Sequence, residues 1–404
     1  MRIAVLHNFY QQPGGEDQVF ASEAEMLERA GHTVTRITET NDHLTGMGPL
    51  NQASAMIWNR AAYRRVFEII RRERVEVAHF HNTFILLSPA SYYAARRAGA
   101  AVVQTLHNYR LLCPAATFLR DAKPCEDCLG HFFAWPGVQH ACYRSRGATA
   151  GIAAMLSIHR AAGTWRNAVD TYIALTEFAR SRFVNGGLPA SRMVVKPNFI
   201  PDPGMGCDGG YVLFAGRICQ EKGIATLLEA WRRPGMPPLR IAGDGPLGAE
   251  LREQIRDMGN VEWIGRLTRD QVLGEMRNAA ALVIPSIWYE GFPVSVVEAY
   301  ATGLPVIASG IGSLPELVKH EQTGLIFEAG DANGLSEAVL RLSQEPELRH
   351  AMRGNCRAEF LELYGEERNL RLLTQIYDGA LKNRRGRTGR GTESSMTLSQ
   401  ENSA

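Results

Sequence analysis

The 404-residue sequence lacks three features that would each assign it to a class of proteins. No run approaches the roughly 20 apolar residues that a membrane-spanning helix needs. Lys and Arg number 44 against 42 Asp and Glu, so no charge excess predicts a nucleic-acid partner, and we expect none. No Gly-x-Gly-x-x-Gly motif follows the first predicted strand, which argues against an NAD-dependent oxidoreductase. Residues 1–6 are too short for a signal-peptide core and predict a strand, so we expect a cytoplasmic protein, with contact to a membrane surface left open.

The remaining composition is typical of a globular protein, and the length exceeds what one hydrophobic core usually holds. Apolar runs alternate with helical patterns, which predicts an α/β fold with a parallel sheet in each half. The predicted strands are 2–6, 33–37, 75–79, 101–106 and 171–175 in the first half, and 211–215, 239–242, 261–264, 281–284, 306–308 and 324–327 in the second.

A proline-rich segment at 196–204 predicts a hinge between two domains. The polar, basic end of the sequence cannot bury apolar surface and predicts disorder. The expected organisation is a first domain at 1–198 with a cysteine-containing insert at about 110–145, a second domain at 205–358, a helix at 359–382 and a disordered tail at 383–404.

Two glutamates, Glu290 and Glu298, flank a loop that joins a buried strand to a helix. At such a junction the first helical amides point outward and bind anions. Carboxylates on either side could hold hydroxyl groups, so the segment has the shape required by a diphosphate that carries a sugar at each end.

A second strand ends in Gly216-Arg217, followed by Lys222-Gly223. Arginine offers a two-pronged donor and lysine a mobile charge, and both suit phosphate oxygens. The glycines permit tight turns. Another strand runs into a glycine turn at Gly243.

These segments, in this order, resemble the retaining glycosyltransferases of family 4, and in particular members with a cysteine insert. The shared pattern is Gly-Arg…Glu-Lys-Gly, then Gly-Asp-Gly-Pro, then Glu-Gly-Phe-Pro…Glu, and it extends through residues 303–309 to Glu316 and Gly324. The resemblance implies the GT-B arrangement, in which two doubly wound Rossmann-like domains face each other across a cleft. It also implies that the helical pattern at 359–382 crosses back onto the first domain.

The resemblance further implies roles for individual residues. Glu290 would lie near the donor sugar and its C1 atom, and Glu298 would bind the ribose hydroxyls. Arg217 and Lys222 would neutralise the departing nucleoside diphosphate in place of a metal, so no cofactor is required for the chemistry. The other donor-binding positions are Gly216, Gly243, Phe292, Val294 and Pro293, which has no amide proton to offer.

In the first domain, the resemblance points to His107 as a catalytic histidine at a strand end. Its usual follower in the family is Asp, and here it is Asn108. Gly14 and Gly15 precede a predicted helix and would approach the donor diphosphate, although a plain turn is the alternative.

Four of the seven cysteines fall within thirty residues: Cys113, Cys125, Cys128 and Cys142. Four thiolates in a tetrahedral array make a structural zinc site, and a cytoplasmic chain disfavours disulfides. The spacing is irregular for a zinc ribbon, so reduced buried thiols are an equal alternative. We expect the insert to shape acceptor binding.

An arginine-rich helical pattern at 60–74 is read as an amphipathic helix with a solvated face, or as a site for anionic lipid if the acceptor is lipid-linked. The main functional hypothesis is transfer of a hexose from a UDP- or GDP-sugar to a glycan or lipid-linked hydroxyl in cell-envelope or exopolysaccharide synthesis. Two alternatives stay open: a nucleotide-sugar epimerase, and an inactive sugar-nucleotide-binding scaffold.

Overall fold

The computed structural model describes residues 1–11 and 14–400, with side chains through Arg385. Strands and helices alternate, and the strands of this described part form two six-stranded sheets and a short hairpin. Every pairing within the large sheets is parallel. The predicted α/β class with two doubly wound sheets is confirmed.

The first sheet has the order β2-β1-β3-β4-β7-β8, and β5 and β6 form the separate antiparallel hairpin. The strands are β1 (Arg2–Phe9), β2 (Thr33–Thr40), β3 (Val77–Phe80), β4 (Ala101–Leu106), β5 (Leu119–Arg120), β6 (Lys123–Pro124), β7 (Thr171–Ala174) and β8 (Met193–Val195). The helices between them are α1 (Gly15–Arg29), α2 (Pro49–Ile57), α3 (Arg60–Arg72), α4 (Ala90–Ala98), α5 (Trp135–Gln139), α6 (Arg146–Ala161), α7 (Thr164–Asn167) and α8 (Glu177–Asn185).

The second sheet has the order β11-β10-β9-β12-β13-β14. Its strands are β9 (Val212–Ala215), β10 (Leu239–Ala242), β11 (Val261–Gly265), β12 (Ala281–Ile284), β13 (Val306–Ser309) and β14 (Gly324–Phe327). The helices of this half are α9 (Ile224–Trp231), α10 (Gly248–Gln254), α11 (Arg269–Arg277), α12 (Val294–Ala301), α13 (Leu314–Leu317), α14 (Ala332–Gln344), α15 (Pro346–Glu359) and α16 (Glu366–Gln400).

The central strands of both sheets are buried on both faces. Every residue of β3, β4, β7, β12 and β13 is buried. Parallel sheets covered by helices on each side produce such uninterrupted apolar runs. This is why the hydrophobic runs in the sequence identified these strands, whereas the three-residue edge strand β8 gave no signal and was missed.

The last helix returns to the first domain. Leu373, Tyr377 and Ala380 of α16 are buried in the same cluster as Ile3 and Val5 of β1. The helix begins at Glu366, after a π-helical turn at Phe360–Tyr364, so the predicted start at 359 is seven residues early.

Helix α16 continues past residue 383, the predicted start of the disordered tail. Arg384 lies within α16 and donates a hydrogen bond to the carbonyl oxygen of Arg96 at 2.9 Å. The side chains of the later predicted tail residues, 386–400, and all of residues 401–404 lie outside the described residues.

A carboxylate joins the two domains directly. Glu316, in α13, accepts hydrogen bonds from the backbone amides of Glu177 and Phe178 at 2.8 and 2.9 Å. These amides belong to the first turn of α8, where they have no intrahelical acceptor. The second domain therefore caps a helix of the first, which fixes one side of the interface.

Two glycines provide a matched test of the packing of the second sheet. A methyl group on Gly324 would lie 1.8 Å from the Val306 carbonyl oxygen, whereas Gly354 in α15 has open space around it. We expect Gly324→Ala to lower the free energy of unfolding by about 2 kcal/mol or more, because a strand backbone must move. Gly354→Ala should raise it by about 0.5–1 kcal/mol. Urea denaturation measures both, and similar midpoints for the two variants would contradict this packing.

Candidate active site

The second sheet reverses its strand order between β9 and β12, because β10 and β11 lie on one side of β9 and β13 and β14 lie beyond β12. In parallel sheets, ligands bind beyond the carboxyl ends of the strands at such a point. Arg217 and Lys222 follow β9, and Glu290 follows β12. The topology therefore brings together predicted site residues that are distant in sequence.

The carboxylate of Glu290 is the best-anchored group at this edge. Its Oε1 accepts hydrogen bonds from Lys222 Nζ at 2.7 Å and from Ser286 Oγ at 2.6 Å. Ser313 Oγ donates to the backbone carbonyl of Glu290 at 2.7 Å. Only 4% of the residue is exposed. These contacts fix both the backbone and the side chain of Glu290.

Burial alone would raise the pKa of Glu290, but Lys222 and the hydrogen bond from Ser286 outweigh that effect and hold the pKa below its ordinary value. Glu290 is therefore ionised at neutral pH, beside an ammonium group. Neither serine was a predicted site residue. Ser286, four residues before Glu290 in the same loop, could have been suspected, but Ser313 follows a different strand and had no sequence signal.

Arg217 does not contact Glu290. Its guanidinium donates to Glu221 Oε1 at 2.5 Å, and about half of its side chain is exposed. The Glu221 backbone carbonyl accepts from the amide of Ile287 at 3.0 Å. The loop that carries Arg217 and Lys222 is thus tied to the loop that carries Glu290.

The glycines in these loops allow backbones to touch. Gly243 has φ +138°, and a methyl group there would lie 1.8 Å from the carbonyl oxygen of Gly216. Gly223 has φ +72°, and a methyl group there would lie 1.8 Å from the carbonyl oxygen of Pro285. Only glycine fits at either position. Gly216 takes part in the contact with Gly243 through its carbonyl oxygen. A methyl group on Gly216 itself would make only an ordinary contact with the Phe214 side chain.

Helix α12 starts directly after the Glu290 loop. Pro293 is its N-cap and Val294 its first residue, so the first amides of the helix have no intrahelical acceptor. Phe292 is 8% exposed and its ring packs against Tyr364 at 6.3 Å between centroids. Only the backbone of Phe292 is therefore placed to contact a ligand.

Glu298 lies one turn into α12 and is 8% exposed. Burial raises its pKa, and Arg269, whose Nε lies 3.3 Å from Glu298 Oε1, offsets part of that rise. Arg269 is the first residue of α11 and was not predicted as part of the site. The contact with Arg269 fixes the orientation of the Glu298 carboxylate.

The N-terminus of helix α1, from the first domain, also lies near this edge of the second sheet. Gly14 caps α1 and Gly15 is its first residue. A methyl group on Gly15 would lie 3.6 Å from Val294 Cγ2, whereas Gly14 has open space around it. The start of α1 therefore contacts the start of α12 across the cleft. Helix N-termini favour negative charge, and the first turn of α1 already carries Glu16 and Asp17.

His107 follows β4 and meets the Glu290 loop. A methyl group on Gly291 would lie 2.7 Å from the His107 carbonyl oxygen. The His107 and His81 rings are nearly parallel, with centroids 5.2 Å apart, and Nε2 of His107 lies 3.0 Å from Nδ1 of His81. Burial, together with nearby cationic groups, lowers the pKa of His107 well below its ordinary value, so the ring is neutral. The structure thus places His107 next to the loop that carries Glu290.

Glu16, which was not a predicted site residue, lies in the same part of the first domain. Its Oε2 is 3.4 Å from Asn108 Nδ2, and its buried Oε1 has no hydrogen-bond partner in the described part of the chain. Burial, with a smaller contribution from Asp17, raises the pKa of Glu16 to about 8. The sequence did carry a signal for Glu16, because it directly follows Gly14 and Gly15, which were predicted to approach the donor.

The four clustered cysteines line one small cavity in the insert between β4 and α6. Burial, with contributions from the neighbouring thiols, raises the pKa of Cys128 to about 12. In the described chain, the groups with three or more ligand atoms within 4.8 Å of one another are Glu23–His79–His81 and His7–Glu16–Asp17. The sulfurs thus converge but do not form a preformed coordination sphere.

The cysteine insert also contacts the loop that carries Glu290. The ring of Phe118 lies 6.1 Å from that of Tyr289, which precedes Glu290. Glu126 pairs with Arg182 of α8 at 3.3 Å. The insert therefore supports the Glu290 loop as well as bordering the first domain's side of the cleft.

The arginines of the 60–74 segment are exposed, and all except Arg74 lie in α3, whose Val66 and Ile70 are buried. Arg65 and Arg72 have acidic partners, at 3.1 and 2.8 Å. Contact of this segment with a membrane stays a prediction. Among the described residues, no helix has both the length and the apolarity needed to span a bilayer.

Two family models match consecutive parts of the chain: Glycosyltransferase Family 4 over residues 13–202, and Glycosyl transferases group 1 over residues 197–359. Together they span both domains and the hinge.

Curated relatives match mainly in part. The amylovoran biosynthesis glycosyltransferase AmsK of Erwinia amylovora is 33% identical over 33% of this chain and 36% of that protein. A GDP-mannose-dependent alpha-(1-6)-phosphatidylinositol monomannoside mannosyltransferase of Mycobacterium tuberculosis is 28% identical over 43% of this chain and 52% of that protein. An exopolysaccharide phosphotransferase of Streptomyces coelicolor is 31% identical over 43% of this chain and 20% of that protein. The chain thus spans between a fifth and about half the length of these relatives.

Solved structures match over nearly the whole chain. Anabaena Alr3699/HepE in complex with UDP and glucose has a TM-score of 0.67 at 17% identity, covering 94% of this chain and 99% of that one. The sucrose-phosphate synthase of Thermosynechococcus elongatus has a TM-score of 0.69 at 19% identity, covering 94% and 98%. The likeness shows that the fold is the GT-B arrangement.

The raised pKa of Glu16 makes a testable prediction. The Glu16 carboxyl group has a pKa of about 8 in the folded protein and its ordinary value of 4.5 in the unfolded chain. As the pH rises between these values, the unfolded chain releases the proton more readily than the folded protein, so the free energy of unfolding falls. Glu16→Gln should therefore stabilise the protein progressively more, relative to wild type, from pH 5 to pH 8. Melting temperatures across this range measure the effect. The exposed Glu25→Gln on the same helix is the control and should show no such trend; a constant difference for Glu16→Gln would contradict the assignment.

Proposed function

The chain belongs to the family 4 glycosyltransferases, and from this premise we propose that it transfers a hexose from a UDP- or GDP-sugar to a hydroxyl group with retention of the anomeric configuration. The observation that carries the proposal is the ion pair of Lys222 and Glu290. It lies at the switch point of the second sheet, next to the start of α12.

The diphosphate of the donor would lie between the facing starts of α1 and α12. Lys222 and Arg217 would neutralise the charge that develops on it, together with the unpaired helix amides. Preorganised donors of this kind are typically worth about 3–4 kcal/mol each in a transition state. The exposed half of Arg217 leaves the guanidinium free to turn from Glu221 to a phosphate. The chemistry then needs no metal.

In the transfer step, the bond between C1 of the sugar and the diphosphate oxygen breaks, and the acceptor oxygen bonds to C1 from the same face. The acceptor's proton moves to the freed diphosphate oxygen. Glu290, held ionised beside Lys222, stabilises positive charge at C1. This front-face reaction accounts for retention without a covalent intermediate.

Glu298 would bind the ribose hydroxyls of the nucleotide. Its carboxylate is held by Arg269 at one oxygen, Oε1. The other oxygen is then the one left to accept from hydroxyl groups. This separates the two glutamates by function, since Glu298 contributes to affinity and Glu290 to the reaction.

The acceptor would bind on the first domain's side of the cleft, near His107 and Glu16. A glycan or lipid-linked glycan of the cell envelope or an exopolysaccharide is the proposed class. Relatives named for amylovoran biosynthesis and for a phosphatidylinositol mannoside support both forms. A cytoplasmic location at the membrane's inner face agrees with such acceptors.

Variants of the two glutamates test this division of roles. We expect Glu290→Ala to abolish turnover, because positive charge at C1 loses its counter-charge, while UDP or GDP still binds. Glu298→Ala should instead weaken nucleotide binding by about tenfold, the loss expected of a charged hydrogen-bond partner.

A panel of UDP-, GDP- and ADP-sugars, screened by thermal shift, identifies the donor for these assays. Transfer rates and calorimetric titration with the nucleotide then measure the two effects. Equal activity of Glu290→Ala and wild type would refute the assignment, and product formed from the donor alone would indicate an epimerase.

The cysteine cavity is proposed to hold one structural zinc ion. Cys113, Cys125, Cys128 and Cys142 supply four sulfurs around one cavity. The segment that carries them has little regular structure: a hairpin of two two-residue strands, β5 and β6, and the five-residue helix α5. Such a segment gains stability from a metal crosslink. The ion would draw the thiols together as thiolates and would take no part in the transfer chemistry.

Metal analysis of the purified chain tests this site. We expect about one zinc per chain, lost in Cys125→Ser/Cys128→Ser, with a lower melting temperature because the insert loses its crosslink. The buried Cys356→Ser, far from the cavity in sequence, is the control and should retain zinc. Absence of zinc and iron, with the four thiols freely titratable, would remove the proposal.

A further inference from the structure

A buried polar cluster lies beneath His107 and is used by none of the steps above. Lys196 Nζ donates to Glu23 Oε1 at 2.7 Å and to Asn369 Oδ1 at 3.1 Å. Lys196 and Glu23 are completely buried. Burying an ion pair usually costs more than the pair returns, and removing one partner is strongly destabilising. A cluster of this kind, next to a candidate catalytic residue, calls for a functional explanation.

The second oxygen of Glu23 faces His81. Glu23 Oε2 lies 3.4 Å from His81 Nε2, and neither atom has another hydrogen-bond partner in the described part of the chain. On its other side, His81 Nδ1 lies 3.0 Å from His107 Nε2. The three residues therefore form a line from the buried ion pair to the cleft.

Charge and burial decide where the protons on this line lie. Burial lowers the pKa of both His81 and His107 well below the ordinary value, so each ring carries one proton. A carboxylate paired with Lys196 only accepts, so the proton of His81 belongs on Nε2, towards Glu23. His81 Nδ1 is then an acceptor, and His107 must donate to it from Nε2.

We infer that Glu23 and His81 are positioning residues that hold His107 as the tautomer with its proton on Nε2. The inference rests on the proposed function for its catalytic meaning. His107 Nδ1, which has no protein partner in the described chain, is left as a bare acceptor. It can accept a hydrogen bond from a sugar hydroxyl and direct its lone pair towards positive charge at C1, but it cannot donate.

Helix α16 completes the arrangement from the far end of the chain. Asn369 holds Lys196, and the Tyr377 hydroxyl lies 2.9 Å from His79 Nδ1. The other nitrogen of His79 lies 2.8 Å from Thr105 Oγ1. His79 is thereby occupied and does not compete for Glu23. The return of the last helix to the first domain thus supports the histidine line as well as the sheet.

Long-range ¹H–¹⁵N NMR of the full chain labelled at histidine reads the tautomer directly, with the His107 signals assigned from His107→Asn. We expect wild-type His107 to carry its proton on Nε2. In Glu23→Leu/Lys196→Met, which replaces the ion pair with apolar side chains and leaves no buried charge unpaired, the signals should become a mixture of tautomers. The turnover number should fall roughly tenfold, with the donor KM unchanged within about twofold, because only orientation is lost.

Tyr172→Phe is the matched control. It removes one buried hydrogen bond of the first domain, from the Tyr172 hydroxyl to the Trp165 carbonyl at 2.8 Å. It leaves the line from Glu23 to His107 and the contacts of His79 intact, so tautomer and turnover should not change. Wild-type His107 protonated on Nδ1, or an unchanged tautomer or turnover in the double variant, would overturn the inference. If the tautomers behave as expected while no donor sugar supports transfer, the positioning stands and the proposed function fails.

Discussion

The account depends on one ion pair, in which the ammonium group of Lys222 lies 2.7 Å from the carboxylate of Glu290. Lys222 keeps Glu290 ionised at a place where burial would otherwise favour the neutral carboxyl group. Such a pair can exist at the cleft only because two loops, from neighbouring strands of the second sheet, approach with their backbones in contact. Gly223, against the carbonyl oxygen of Pro285, makes that approach sterically possible.

The first domain's side of the cleft has a different distribution of charge. There the charged groups are buried below the surface, and the residue that meets the cleft, His107, is neutral. On the proposed function, the second domain presents charged groups to a diphosphate, while the first presents hydrogen-bonding groups to hydroxyls. Glu316 and the cysteine insert connect the two sides, one by capping α8 and the other through Tyr289.

The sequence predicted the fold well because buried parallel strands leave long apolar runs and strand-end motifs are local. Glu290 and Lys222 were predicted for the same reason, since both lie in short, distinctive loops. Their direct contact was not predicted, because it depends on which strands are neighbours in the sheet. The short edge strand β8 left too few residues to show a pattern.

Residues that act from a distance left no local signal. Glu23 was not singled out, and Lys196 was noted only as part of the predicted hinge. Both are completely buried, and Asn369 joins them from α16. The break of the last helix at Phe360–Tyr364 was also missed, because its composition continues the helical pattern of α15. Tertiary packing, which a linear pattern does not encode, decided these cases.

A crystal structure of the protein with bound UDP or GDP tests the central claim most directly. The account predicts the diphosphate between the starts of α1 and α12, with its oxygens within hydrogen-bond distance of Lys222 Nζ and the Arg217 guanidinium. A nucleotide bound elsewhere, or bound here with both cations directed away from the phosphates, would contradict it.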